Sequence, residues 1–165
     1  MASTDTATLT LPTDQEILIT REFDAPRHLV WRAWTTPELV RRWWHANRGQ
    51  VTVVEIDLRE GGKWRQVMVT PDGMEVGFHG EYIEIVPERR IVSTEVYEGL
   101  PEGVSEEDAA TVNTATFDEQ DGRTRLTILV RATSRVSRDA IIDSGMEDGL
   151  QDALTLLEQA AGSLA

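Results

Sequence analysis

The chain has 165 residues and a formal net charge of −13, from 16 basic and 29 acidic side chains, and it contains no cysteine. That length suits one domain with a core of its own and leaves no room for a second. Lack of cysteine excludes disulfides, thiolate metal sites and cysteine nucleophiles, and so acidic a chain repels phosphate backbones unless its bases cluster, which they do not.

Hydrophobic residues make up 40% and charged residues 27%, a globular balance, and no apolar run nears the roughly 18 residues a membrane span needs. Met1 to Pro12 is polar and Thr-rich, without the basic start and apolar stretch of a secretory signal. A cytoplasmic protein that enters no membrane is expected, with residues 1–15 as a flexible lead and 16–165 as the single domain.

Glu16 to Phe23 alternates, with Ile17, Ile19, Arg21 and Phe23 on one side, and predicts a strand. Asp24-Ala25-Pro26 offers a capping acid and a proline for a first helical turn, and Leu29, Val30, Ala33 and Trp34 recur at helical spacing. Thr36-Pro37-Glu38 repeats the start signal for a second short helix that ends in Trp43 and Trp44.

From Val51 the period becomes two. Strands are predicted at Val51–Leu58, Trp64–Thr70, Met74–Val86, Arg90–Tyr97, Ala110–Phe117 and Arg125–Ala132, with turns at Glu60-Gly61-Gly62, Pro71-Asp72-Gly73 and Asp121-Gly122. Ile142, Met146, Leu150, Leu154, Leu157, Ala161 and Leu164 then mark one amphipathic helix from Ser137, a candidate cap, to Leu164. The class is α+β: a curved antiparallel sheet of six to seven strands wrapped around a long C-terminal helix, with a two-helix hairpin after the first strand. On that helix Gly145 and Gly149 would permit close approach or leave space.

These segments, in this order, resemble the heat-shock protein 90 ATPase activator-like family. The matching runs are Phe23-Asp24-Ala25-Pro26, Val30 to Thr35, Pro37-Glu38, Trp43-Trp44, Asp57 to Gly62 with Trp64, Pro71-Asp72-Gly73, Gly80 to Pro87 and Gly145 to Gly149. The resemblance implies the START-like (SRPBCC) helix-grip fold of the birch pollen allergen and polyketide cyclases, with a cavity that takes apolar ligands. Relatives often carry tryptophan where this chain has Leu150, which implies a roomier cavity there.

A small hydrophobic or aromatic ligand held between sheet and helix, without catalysis, is the leading expectation. Its candidate contacts are Trp34, Trp44, His45, Trp64, Met68, Phe78, Tyr82, Met146, Leu150 and Leu154, because such sites are mostly apolar and aromatic. Trp64 and Met68 alternate with Gln66 on one face, as do Phe78, Gly80 and Tyr82, although a single bulge inverts such parity.

His28 should be exposed, His79 should point away from the ligand, and His45 should stand near the cavity entrance. No histidine spacing suggests a metal, and no nucleophile elbow, zinc-protease, phosphate-loop or dinucleotide motif calls for a cofactor. Gly61-Gly62-Lys63 is followed by Trp64, not the serine or threonine of a phosphate loop. Two other readings remain: a cyclase-like enzyme moving a proton with a cavity acid or His45, and a protein-interaction or co-chaperone-like module. For the latter, the acidic stretch Glu98 to Asp108 offers itself to a basic protein partner, and an exposed strand edge or helix to a homodimer.

Overall fold

The computed structural model describes residues 6–165. One eight-stranded antiparallel sheet is formed by β1 (Thr8–Thr10), β2 (Glu16–Phe23), β3 (Gln50–Ile56), β4 (Lys63–Val69), β5 (Glu75–Val86), β6 (Arg90–Tyr97), β7 (Thr111–Gln120) and β8 (Arg123–Arg131), in the order β1-β2-β8-β7-β6-β5-β4-β3. Strands β3 to β8 are therefore a meander, each paired with the next, and β2 closes against β8. The helices are α1 (Arg27–Thr35), α2 (Pro37–Trp43), a one-turn α3 (Glu106–Ala109), α4 (Arg135–Asp143) and α5 (Met146–Gly162).

The count of eight exceeds the expected six to seven because of β1. Of the segment 1–15 expected to be flexible, residues 1–5 lie outside the described residues, whereas Thr8 to Thr10 pair with Leu18 to Thr20. Ala7 is buried, and its N–H and carbonyl both bond the Gln151 amide of α5, at 2.9 and 2.7 Å.

Two bulges decide which side chains face inward. In β3 the register with β4 shifts around Thr52, so Val51 and Val54 both reach the core; in β5 it shifts around Ile83, which is left exposed. Before that second shift the inward residues are even-numbered (Phe78, Gly80, Tyr82); after it Ile85, opposite the buried Ile91, packs against the core.

The single helix expected over Ser137–Leu164 is two helices. Ser144 ends α4, and Gly145, at φ 83°, adopts the left-handed conformation that glycine enters without penalty. Ser134, not Ser137, caps α4, its side chain accepting from the Ser137 N–H at 3.1 Å. Asp24 and Thr36 make no side-chain cap either; Pro26 and Thr36 occupy the cap positions of α1 and α2 by backbone conformation alone.

Gly145→Ala is expected to lower unfolding free energy by about 1 kcal/mol through left-handed strain, since the added methyl would meet no atom within 4 Å. Urea unfolding of the two proteins measures it.

The core joins the inner faces of β2, β7 and β8 to α1, α2 and the C-terminal half of α5. Phe23, Phe117, Leu126, Leu154 and Leu157 are nearly or fully inaccessible within it. Trp34 stacks on Trp43 at 5.2 Å and meets Phe117 edge-on at 6.0 Å, and the Trp43 indole donates to the Ala33 carbonyl at 2.9 Å. No described helix is long and apolar enough to cross a membrane.

Candidate functional site

The inner face of the sheet divides into two halves. On β6 and β7 the inward positions, read from the register Ile91 opposite Ala115, Ser93 opposite Asn113 and Glu95 opposite Thr111, change from apolar to polar along the strands. Gln66 of β4, opposite Phe78, joins the polar group. Ser93, Glu95, Thr111, Asn113 and Gln66 thus all point toward the side where a core would carry aliphatic residues.

Helices α4 and α5 stand on the core side, where Ile141, Ile142, Met146 and Leu150 pack against the buried cluster. The Thr133 and Ser137 hydroxyls bond the Asp108 carbonyl near the start of β7, which fixes α4 at that end. From there α5 runs to the opposite end, where Glu158 meets Arg21 of β2. The packing on α5 follows the same division. Leu154, Leu157 and Ala161 are buried, whereas Met146 and Leu150, toward its N-terminus, are only half-buried.

Aromatic residues border the polar patch. Trp44 meets Phe78 edge-on at 5.9 Å, and Phe78 meets Tyr97 at 5.2 Å. Trp44, Met68 and Phe78 touch the core yet remain half-buried. Trp64 is buried; its indole crosses Gly80 and donates to the Thr94 carbonyl at 3.2 Å. A Cβ on Gly80 would lie 1.9 Å from that carbonyl oxygen and 2.7 Å from the indole nitrogen, so the crossing requires glycine there.

The other expected contacts divide between the two halves. Tyr82 is buried, and burial raises its hydroxyl pKa far above the ordinary range, with the Asp57 charge adding to the rise. Half-buried His45 accepts the Asn47 N–H on Nδ1 at 2.9 Å. His28 is exposed. His79 lies on the outer face against Glu98.

Asp57 is not the cavity acid that a cyclase-like enzyme would need. It bonds Arg59, two residues on, at 2.8 Å, and both are exposed, so no buried acid exists there. The buried acid is Glu95, which sequence reasoning did not single out. The residue keeps some solvent contact, but its carboxyl is enclosed, and burial pushes its pKa up to about 7 against the opposing hydrogen bond from Asn113. The Thr111 hydroxyl donates to Asn113 Oδ1 at 2.9 Å. That leaves the Asn113 NH2 to donate to Glu95, a three-residue relay on the polar half of the inner face.

Acidity elsewhere is differently arranged. Arg65 holds Glu98 with two hydrogen bonds of 2.9 Å on the outer face, which, with His79, brings the Glu98 carboxyl down to about 2. Further along the acidic segment, Glu106, Glu107 and Asp108 lie in α3, capped by Ser105. An open cleft of about 190 Å³ between Val86, Arg89, Arg90, Thr116 and Asp118 lies on the outer side, away from the inward polar residues. Among the described residues no three His, Asp or Glu side chains converge as a metal site would require.

Comparison with known proteins agrees with this architecture. The family model described as activator of Hsp90 ATPase homolog 1-like protein matches residues 24–162. No curated protein matches the sequence. Among solved structures, a protein from Rhodobacter sphaeroides is 25% identical, with a TM-score of 0.86 over 96% of this chain and 99% of that one. One from Chromobacterium violaceum is 26% identical at TM-score 0.72, over 87% and 95%. One from Mycobacterium smegmatis, 24% identical at TM-score 0.81 over 93% and 95%, shares the fold.

Proposed function

From the premise that this chain belongs to the activator of Hsp90 ATPase homolog 1-like family, a helix-grip group whose fold is known for holding ligands in a cavity, we propose that it binds a small hydrophobic or aromatic molecule in the trough between β3–β7 and the α4–α5 pair. One observation carries the reading. Five polar side chains face inward together, on the same side of the sheet as half-buried Met68 and Phe78, where a closed core would carry aliphatic residues. A mostly apolar wall with a few convergent polar groups is the composition of a small-molecule site.

Leu150 is the position to test, being the place where the trough gains room from a smaller side chain. A neutral aromatic probe such as 1-naphthalenemethanol is expected to raise the melting temperature with the logarithm of its concentration once that exceeds Kd and to change tryptophan fluorescence. Leu150→Trp should lower its affinity at least tenfold while the protein stays folded by circular dichroism. Unchanged affinity in the folded variant would refute binding in the trough.

A second reading, proton transfer to or from the bound molecule, is favoured by Glu95. A carboxyl that changes charge near neutrality suits general acid–base work. His45 supports it less, because its Nδ1 is already taken by the Asn47 N–H. The co-chaperone-like and basic-partner readings have no comparable observation behind them, and Glu98 already has its cation in Arg65.

A further inference from the structure

Among the described residues, no cation is paired with the Glu95 carboxylate. Its partner is the neutral Asn113 amide, aimed by Thr111. A carboxylate offers about four lone-pair sites, so most of its acceptor capacity is left for whatever enters the trough.

The groups sharing its face are without positive charge. Trp64 and Gln66 come from β4; Phe78, Gly80 and Tyr82 from β5; Ser93 and Tyr97 from β6; Thr111 and Asn113 from β7; and α5 supplies Met146 and Leu150. The nearby cations are already engaged. Arg21 pairs with Glu158 at the far end, Arg48 with Asp152 at 2.9 Å on the exposed rim, and Arg59 with Asp57 in the β3–β4 turn.

Resting on the trough reading above, we infer that the ligand is a lipophilic amine, its ammonium docked on Glu95 and its apolar body against Trp44, Met68 and Phe78. An enclosed carboxylate gains most from a group that brings both charge and N–H donors. Aromatic faces such as Trp44 and Phe78 favour a cation beside them. The net charge of −13 draws cations toward the protein and turns acids away. A carboxylic acid or phosphate would set a second anion against Glu95, and a neutral alcohol would leave its charge uncompensated.

Three probes of one shape separate the alternatives: 1-naphthylmethylamine, 1-naphthalenemethanol and 1-naphthoic acid, titrated calorimetrically at pH 8. The amine is expected to bind at least tenfold more tightly than the alcohol, and the acid more weakly than either. Glu95→Gln should abolish the preference for amine, whose affinity falls at least tenfold to that of the alcohol measured on the same variant. The carboxyl ¹³C signal of Glu95 should show its titration moving to lower pH when the amine is added. Equal binding of amine and alcohol, or an amine preference that survives Glu95→Gln, would overturn the assignment of ligand class and leave the trough standing. No binding of any probe would overturn both.

Discussion

Glu158→Ala is expected to lower unfolding free energy by about 3 kcal/mol and the melting temperature by roughly 6–12 °C. Arg21 is 2% exposed on the inner face of β2, and its one carboxylate is Glu158 of α5, 14% exposed, at 3.4 Å. What else the guanidinium touches does not neutralise it: the Glu22 carbonyl and the Phe23 ring, 4.8 Å from its central carbon. Its Nε has no hydrogen-bond partner among the described residues. Removing the carboxylate leaves a buried charge alone, which costs far more than the pair itself contributes. The same carboxylate accepts the Asp24 N–H at 2.8 Å and so ties the β2–α1 junction to α5. Glu158→Gln, which retains an acceptor for that N–H, should lose less. Arg21→Met combined with Glu158→Leu should recover most of the stability, because an apolar pair of similar volume avoids the desolvation cost. Calorimetric melting of all three tests this; a loss under about 1 kcal/mol for Glu158→Ala would mean that water or another group neutralises Arg21.

Much of the architecture could be read from periodicity because strand alternation is a local signal. Glu16–Phe23 and Arg90–Tyr97 coincide with the strands read from alternation, and the meander follows from short turns. The break at Gly145 escaped because Ile142 and Met146 preserve the four-residue spacing across it, and a glycine that favours a left-handed turn is also tolerated, at a cost, inside a helix. Strand β1 escaped because three residues carry too little pattern. It is held by Ile19 across the sheet and by Gln151, 144 residues from Ala7.

The candidate site was legible in its aromatic rim and illegible in its floor. Phe78, Trp44 and Met68 stand out by residue type. Glu95 does not, because alternation in β6 sets Val92, Thr94 and Val96 against Ile91, Ser93 and Glu95, so the more apolar set suggests the wrong face as inward. Val96 is indeed buried, but on the outer side of the sheet. Only the register with β7, which aligns Glu95 with Thr111 and Ser93 with Asn113, shows the polar set turned toward the helices.

That misplaced polarity has a thermodynamic consequence. Glu95 has its pKa raised from 4.5 to about 7 by burial. A carboxyl held above its unfolded value contributes stability that is fully present below about pH 4.5 and is lost as pH rises through about 7, because unfolding then releases an acid that ionises freely. At full weight the shift corresponds to roughly 3 kcal/mol; solvent contact at the half-buried residue reduces this to about 2 kcal/mol. Glu95→Gln removes the ionisation and keeps a side chain that Asn113 can still bond. The substituted protein should match the parent near pH 4.5 and exceed it by about 2 kcal/mol, or roughly 4–8 °C in melting temperature, above pH 8. A difference that stays constant with pH would show that Glu95 ionises as it does in the unfolded chain. A bound amine should cancel the effect, restoring the parent's stability at high pH while stabilising the substituted protein no more than the alcohol does. The pH dependence and the amine preference therefore test one property of the trough, a carboxylate enclosed without its counterion, from opposite directions.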